Sequence, residues 1–136
     1  MIKLLFSIAS VLCIMSCTNI KAVIVDASNL QTPVSKMKLQ NGEYGIRILE
    51  GEGERFIPFK AISWLKISSR EVENRNGHTY YLTEIELKDG AKVMTYRLKD
   101  GRKSAAFVCV DNIIEAETNS GPMKVDLSKV SKISFE

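Results

Sequence analysis

Few side chains in this sequence could exchange a proton, attack a carbonyl or hold a metal near neutral pH. His78 is the one histidine, which excludes a cluster of imidazoles and leaves any Ser-His or Cys-His arrangement to be built around that single residue. It follows the Asn76-Gly77 dipeptide, so the expectation is a solvated residue at a hairpin tip. Three cysteines are present, Cys13, Cys17 and Cys109, and no Cys or His spacing resembles a zinc site. Cys109 sits in the small and β-branched run 105–110 and reads as a buried strand residue rather than a nucleophile. Carboxylates offer the other route: Glu84 with Glu86, Glu115 with Glu117, and Glu50, Glu52 and Glu54 through a glycine-rich turn. Such pairs can serve as acid and base or hold calcium. Alternating acids on a strand more often form its wet face, and the spacing fits neither an EF-hand nor a phosphate-cradling loop. The expectation is no catalytic residue, no metal and no cofactor.

Recognition chemistry falls to the aromatics. Trp64 and Tyr80 could stack on a sugar ring or anchor a protein partner if exposed on a β surface, the alternative for Trp64 being a cap on the edge of the core. Tyr80 and Tyr81 are adjacent, so in a strand they face opposite ways and at most one lies in the core.

The elements that must position these residues are strands. The 136 residues carry 45% apolar and 26% charged side chains, the balance of one ordinary globular domain. With Lys3 set aside, the segment from Thr18 onward holds 18 basic and 16 acidic groups. Lysines and glutamates alternate along it, which argues against a nucleic-acid partner, since that needs clustered basic charge. Asn41-Gly42, Asn76-Gly77, Asp89-Gly90 and Asp100-Gly101 are hairpin-type turn dipeptides between runs of strand composition. The clearest pair is 79–87 with 92–98: Tyr81, Thr83, Ile85 and Leu87 share one face of the first, and Met94, Tyr96 and Leu98 one face of the second. Further strands are expected over 22–25, 35–39, 44–49, 55–59, 65–69, 104–110, 113–117, 123–127 and 132–135, with a turn over 29–33. The expected fold class is all-β, a single small antiparallel β-sandwich or barrel.

A cryptic repeat runs through it. Ile57, Phe59, Ile62, Leu65 and Ile67 recur 68 residues later as Val125, Leu127, Val130, Ile133 and Phe135, and Ile46, Ile48 and Gly53 correspond to Ile114, Ala116 and Gly121. The steps predict a strand, one tight helical turn and a second strand in each copy. Apolar matches also arise by chance at this composition, so the pattern leaves true duplication open.

The amino terminus is of another kind. Lys3 precedes the uncharged apolar run 4–15, which has the length of a signal-peptide core and is too short to cross a bilayer. Ile14, Met15, Ser16 and Cys17 resemble the lipobox of bacterial lipoproteins, with Met15 departing from the usual small residue. The resemblance implies cleavage before Cys17, diacylglycerol on its sulfur and an acylated new terminus, an anchor of several chains. Thr18, where enteric-type lipoproteins retained inside carry Asp, implies the outer membrane. The alternative is an ordinary secretory signal, with a periplasmic or secreted product and Cys17 unmodified. On this reading 1–16 is a signal peptide, 17–21 a lipidated cysteine and short tether, and 22–136 the β-rich domain, in which Cys109 is the one thiol. The tail 124–135 resembles a segment that recurs at the ends of β modules in uncharacterised bacterial exported proteins. Together these readings imply a non-enzymatic envelope module, held to the membrane by lipid and binding another envelope protein or glycan. An exported glycan- or peptide-acting enzyme using a carboxylate pair, and a carbohydrate-binding or adhesion module centred on Trp64, are the alternatives.

Overall fold

The computed structural model describes residues 19–93 and 106–136. The leader with Cys17, the strand positions Met94, Tyr96 and Leu98, and the Asp100-Gly101 turn lie outside the described residues.

Within them the chain is all-β. In order come β1 (Ala22–Asp26), β2 (Gln31–Leu39), β3 (Gly45–Glu50), β4 (Gly53–Pro58), a 3-10 turn (Phe59–Ala61), β5 (Ile62–Arg75) and β6 (His78–Leu87). Then follow β7 (Ala106–Cys109), β8 (Ile113–Thr118), β9 (Gly121–Asp126), a second 3-10 turn (Leu127–Lys129) and β10 (Val130–Phe135). These ten described strands form one antiparallel sheet in the order β4-β3-β7-β6-β5-β10-β1-β2-β8-β9, curled into a half-barrel. The sheet is thus a single curled layer whose inner face closes on itself, not two separate layers.

The repeat is structural. Shifting β3, β4, the first 3-10 turn and the start of β5 by 68 residues reproduces the bounds of β8, β9, the second turn and the start of β10. The registers follow: Gly45 pairs with Pro58 and Glu50 with Gly53, as Ile113 pairs with Asp126 and Thr118 with Gly121. Each 3-10 turn is pinned alike, the Phe59 N–H donating to the Tyr44 carbonyl at 2.9 Å and the Leu127 N–H to that of Asn112 at 3.0 Å. The strand order reads the same from both ends, β4 answering β9, β3 answering β8, β7 answering β2, β6 answering β1 and β5 answering β10. The symmetry therefore embraces β1 and β2, which precede the first repeat in the chain. Their turns agree with this: the Ala27 N–H donates to the Lys129 carbonyl at 2.9 Å and the Lys88 N–H to that of Ala61 at 3.0 Å. The left-handed position of the turn is Asn29 (φ 67°) in one half and Gly90 (φ 89°) in the other, the residue types that tolerate it. One five-strand unit is continuous, β3 to β7; the other is circularly permuted, β8 to β10 followed by β1 and β2.

The halves join where β5 meets β10, with Leu65 opposite Ile133, residues related by the same 68-residue shift. Both are fully buried. Around them the alternating inner positions form one cluster, with Ile24, Met37, Ile46, Ile48, Phe59, Ile62, Ile85, Val108, Ile114 and Leu127 among its members, and the Phe59 and Phe135 rings stack at 5.4 Å. Thr83 is the buried polar residue among them, its hydroxyl satisfied by the Lys66 carbonyl at 2.6 Å.

Three departures from the sequence expectations have physical causes. Pro33, expected in a turn, lies inside β2 opposite Val23; β8 begins to pair with β2 only at Ser35, so this stretch is an edge and the missing N–H costs no ladder bond. β5 runs on to Arg75 although 70–75 is strongly polar, because β6 supplies its ladder beyond a bulge between Ser68 and Val72. Asn41-Gly42 forms a tight turn, the Gly42 N–H reaching the Leu39 carbonyl, but β2 and β3 belong to different halves and do not pair, so it is no hairpin. Asn76-Gly77 and Asp89-Gly90 do close as expected, Arg75 meeting His78 and the Leu87 N–H reaching the Ala91 carbonyl at 2.8 Å.

Leu65→Ala and Ile133→Ala should each lower unfolding free energy by about 2–5 kcal/mol, the cost of a cavity in a closed core. Chemical denaturation of both and of the double variant checks this, and strict additivity of the two would refute a shared seam.

Candidate functional site

Along the strand direction the sheet has two distinct ends. β1 and β6 run antiparallel to each other, so the chain enters at the end opposite the 75–78 hairpin tip. Val23, Ser134, Trp64 and Glu86 form a row across β1, β10, β5 and β6 near the entry. His78 lies eight residues back along β6 from Glu86, up to roughly 26 Å at strand rise.

At the entry end Ile20 packs against the core, and the Met37 N–H bonds its carbonyl at 3.1 Å. The backbone is therefore already held at Ile20, ahead of β1. A shallow depression here is lined by Phe59 and Phe135 and bordered by Lys21, Lys60 and Lys88, all three exposed. The Lys88 ammonium also bonds the carbonyl of Glu136 at 2.6 Å.

Trp64 sits on the outer face of the same end, half-buried, since Leu65 takes the inward position and the period of two turns its neighbour out. Its indole N–H donates to Glu86 at 2.9 Å, and the Lys66 ammonium lies 5.2 Å from the ring centre, a cation–π distance. The ring is thus held in one orientation by an acid and a base that flank it on the strand surface.

Tyr80 is not a surface residue. It is fully buried, in a second apolar cluster on the outer face with Leu49 and Phe107, against which Leu82 and Cys109 pack. Its hydroxyl donates to the Glu54 carboxylate, and its burial leaves no surface for the contact expected of it. Glu54 also faces Arg47 at 3.8 Å, and Arg47 is held by Glu43 at 2.8 Å. Arg75 reaches the Gly51 carbonyl, which ties the 75–78 hairpin to the β3–β4 turn. Desolvation, and then the bond to Glu54, raise the Tyr80 hydroxyl well above its ordinary value of 10.0. Tyr81 turns the other way and packs on the main core.

The acidic alternations do not converge on one another across a cleft. Glu115 and Glu117 meet Lys124 and Lys36 at 3.8 and 3.6 Å, Glu50 meets Arg55 at 3.8 Å, and Glu84 stands opposite Lys66. Pairs as exposed as these contribute up to about 1 kcal/mol each, and they hold the carboxylates on a mixed surface.

At the far end, His78 is exposed as expected, but it is not alone. Tyr80 pairs with Cys109 across β6 and β7, so Asp111 falls beside His78, with 3.5 Å between Nδ1 and a carboxylate oxygen. Cys109, partly buried, shares that locale, and burial pushes its thiol upward. Asp111 was not singled out by its own sequence context. The usable signal was its spacing: Cys109 and Asp111 stand two apart at a strand end, on one face.

No protein-family model matches the chain, and a search of curated proteins finds no relative.

The Tyr80 hydroxyl stays neutral in the fold at pH values where the unfolded residue ionises, so its contribution is complete below pH 10 and lost as pH rises beyond it. Tyr80→Phe should be less stable than wild type at pH 7, by about 1.5–3 kcal/mol for a lost bond to a charged group, with a smaller gap above pH 10. Denaturation at both pH values checks it.

Proposed function

We propose that this chain is an exported, non-enzymatic envelope module, tethered to a membrane by lipid on Cys17 and binding another envelope component through the outer face that carries Trp64. The observation that carries the reading is Trp64 itself: a large aromatic turned away from the core, oriented by Glu86 and Lys66, in the row next to the point where the tether enters. Half-buried aromatics flanked by fixed charges are the chemistry of protein recognition, supplying contact area at low entropic cost. The short tether supports the anchoring half of the proposal. With Ile20 already packed, only Thr18 and Asn19 separate a lipidated Cys17 from the domain, which holds the end bearing Lys21, Lys60 and Lys88 against the headgroups.

The ion-paired acidic alternations support a binding role over acid–base chemistry, which calls for one carboxylate in an apolar setting. A protein partner is favoured over a sugar, because Lys66 lies over the Trp64 ring and stacking a pyranose there would displace it.

Cys17→Ser should yield a folded domain that loses acyl label and membrane association; a variant that still fractionates with membranes and carries label defeats the tether. Trp64→Ala should leave the circular dichroism unchanged and remove specific species seen when wild type is cross-linked in intact envelopes. An unaltered cross-linking pattern would move the binding function off this face. A glycan array run on both proteins gives the sugar reading its own test, equal binding by the two removing it.

A further inference from the structure

The side chains of His78, Cys109 and Asp111 place an imidazole nitrogen, a sulfur and a carboxylate oxygen all within 4.8 Å of one another. We propose that these three residues form a binding site for a zinc-class divalent cation, with a fourth position open to solvent or to an incoming ligand. The inference is independent of the tether and of the Trp64 face, which lie at the other end of the sheet.

The donor set selects the ion. Calcium and magnesium take oxygen ligands almost exclusively, whereas one thiolate, one imidazole and one carboxylate match the borderline-soft preference of zinc. The separations fit as well. Two ligands about 2.0–2.1 Å from a tetrahedral zinc lie about 3.4 Å apart, and His78 Nδ1 stands 3.5 Å from Asp111 Oδ2. Cys109 has the longer reach to make good, and bonds of about 2.3 Å to sulfur ask for a somewhat wider separation.

The backbone beneath is already framed. The Thr79 N–H donates to Asp111 Oδ2 at 2.7 Å, fixing the carboxylate, and the Val110 N–H donates to the Thr79 carbonyl at 3.0 Å, fixing the strand end between the two β7-side ligands. Outer hydrogen bonds of this kind orient metal ligands. His78 and Asp111 are exposed and Cys109 partly so, so an ion can enter without the sheet opening. Nor is the cysteine a requirement of the architecture. In the symmetry-related half, Lys38 occupies the strand position that answers Cys109, opposite Glu115 as Cys109 faces the β3 side. Binding forms one Zn–S, one Zn–N and one Zn–O bond and releases the Cys109 thiol proton to solvent.

The test titrates the full chain with Co²⁺ and then Zn²⁺, in a Cys13→Ser, Cys17→Ser background that leaves Cys109 as the one thiol and serves as wild type here. Wild type should develop a sulfur-to-cobalt charge-transfer band with tetrahedral d–d absorption, both abolished by one equivalent of Zn²⁺. C109S should lose the charge-transfer band, and His78→Ala and Asp111→Asn should weaken Zn²⁺ binding by on the order of 10- to 100-fold, the range already seen when merely supporting groups are removed. Far-ultraviolet circular dichroism checks that each variant is folded, and Glu115→Gln, at the remote edge, should bind as wild type does. Absence of the charge-transfer band in wild type, or a band that survives in C109S, overturns the site; so does Zn²⁺ affinity that is unchanged in all three variants.

Discussion

Leu65 and Ile133 face each other across the β5–β10 seam, and along that seam the two five-strand halves hydrogen-bond to one another. A five-strand sheet of this length has one apolar face and cannot bury it alone; joined at the seam, the curled halves close a single core from β3 and β4 at one side to β8 and β9 at the other. The constraint is demanding because strand periodicity is two: a slip of one residue would carry every inward side chain of a half to the outer face. Placing equivalent residues opposite each other on the symmetry axis satisfies both halves with one register. The outer positions tolerate more, Lys66 standing opposite Lys132 and Trp64 opposite Ser134.

Symmetry holds in the backbone and is broken in the side chains, and the breaks are where the protein differs from a bare scaffold. The turn that Asp126 caps, accepting from the Ser128 N–H at 3.0 Å, is entered in the other half from Pro58, without a side-chain cap. Gly45 answers Ile113, because the Phe56 ring lies against the Gly45 backbone where a Cβ would stand. Among the described residues, the outer apolar cluster belongs to the β3 to β7 half, roofed from the β5–β6 arm by the Arg75 bond to Gly51. Trp64 replaces the position of Lys132, and Cys109 that of Lys38. Identical backbone demands leave such positions free to take up function.

Much of the fold was legible before any coordinates. The offset of 68 between Ile57 and Val125, continued through Leu65 and Ile133, aligns the two copies of the strand-turn-strand unit, because inward positions of a curled sheet must be apolar; the strands themselves begin two or three residues earlier than expected, at Gly53, Ile62, Gly121 and Val130. For Trp64 the sequence left two readings, an exposed aromatic or a cap on the edge of the core, and the inward position of Leu65 in the fold turns its neighbour to the outer face. Less legible were the 70–75 extension of β5, whose polar residues gain their ladder from β6, and Pro33 within β2, which survives on a free edge. Tyr80 misled for a related reason. The alternation placed it correctly on the outer face, but that face is covered here by a second cluster, and local pattern carries no information about what folds back over it.

By itself the sequence determined the all-β class, the turn positions at Asn76-Gly77 and Asp89-Gly90, the inward face of 79–87 and the apolar pattern shared by the two strand-turn-strand segments, since each of these rests on the spacing of residues within one short segment. Only the tertiary structure decided that β1 and β2 complete the second half by circular permutation, that β2 and β3 part company at Asn41-Gly42, and that His78 stands beside Cys109 and Asp111. Those are pairings between segments far apart in the chain, selected by the closing of a common core, and no local spacing records them.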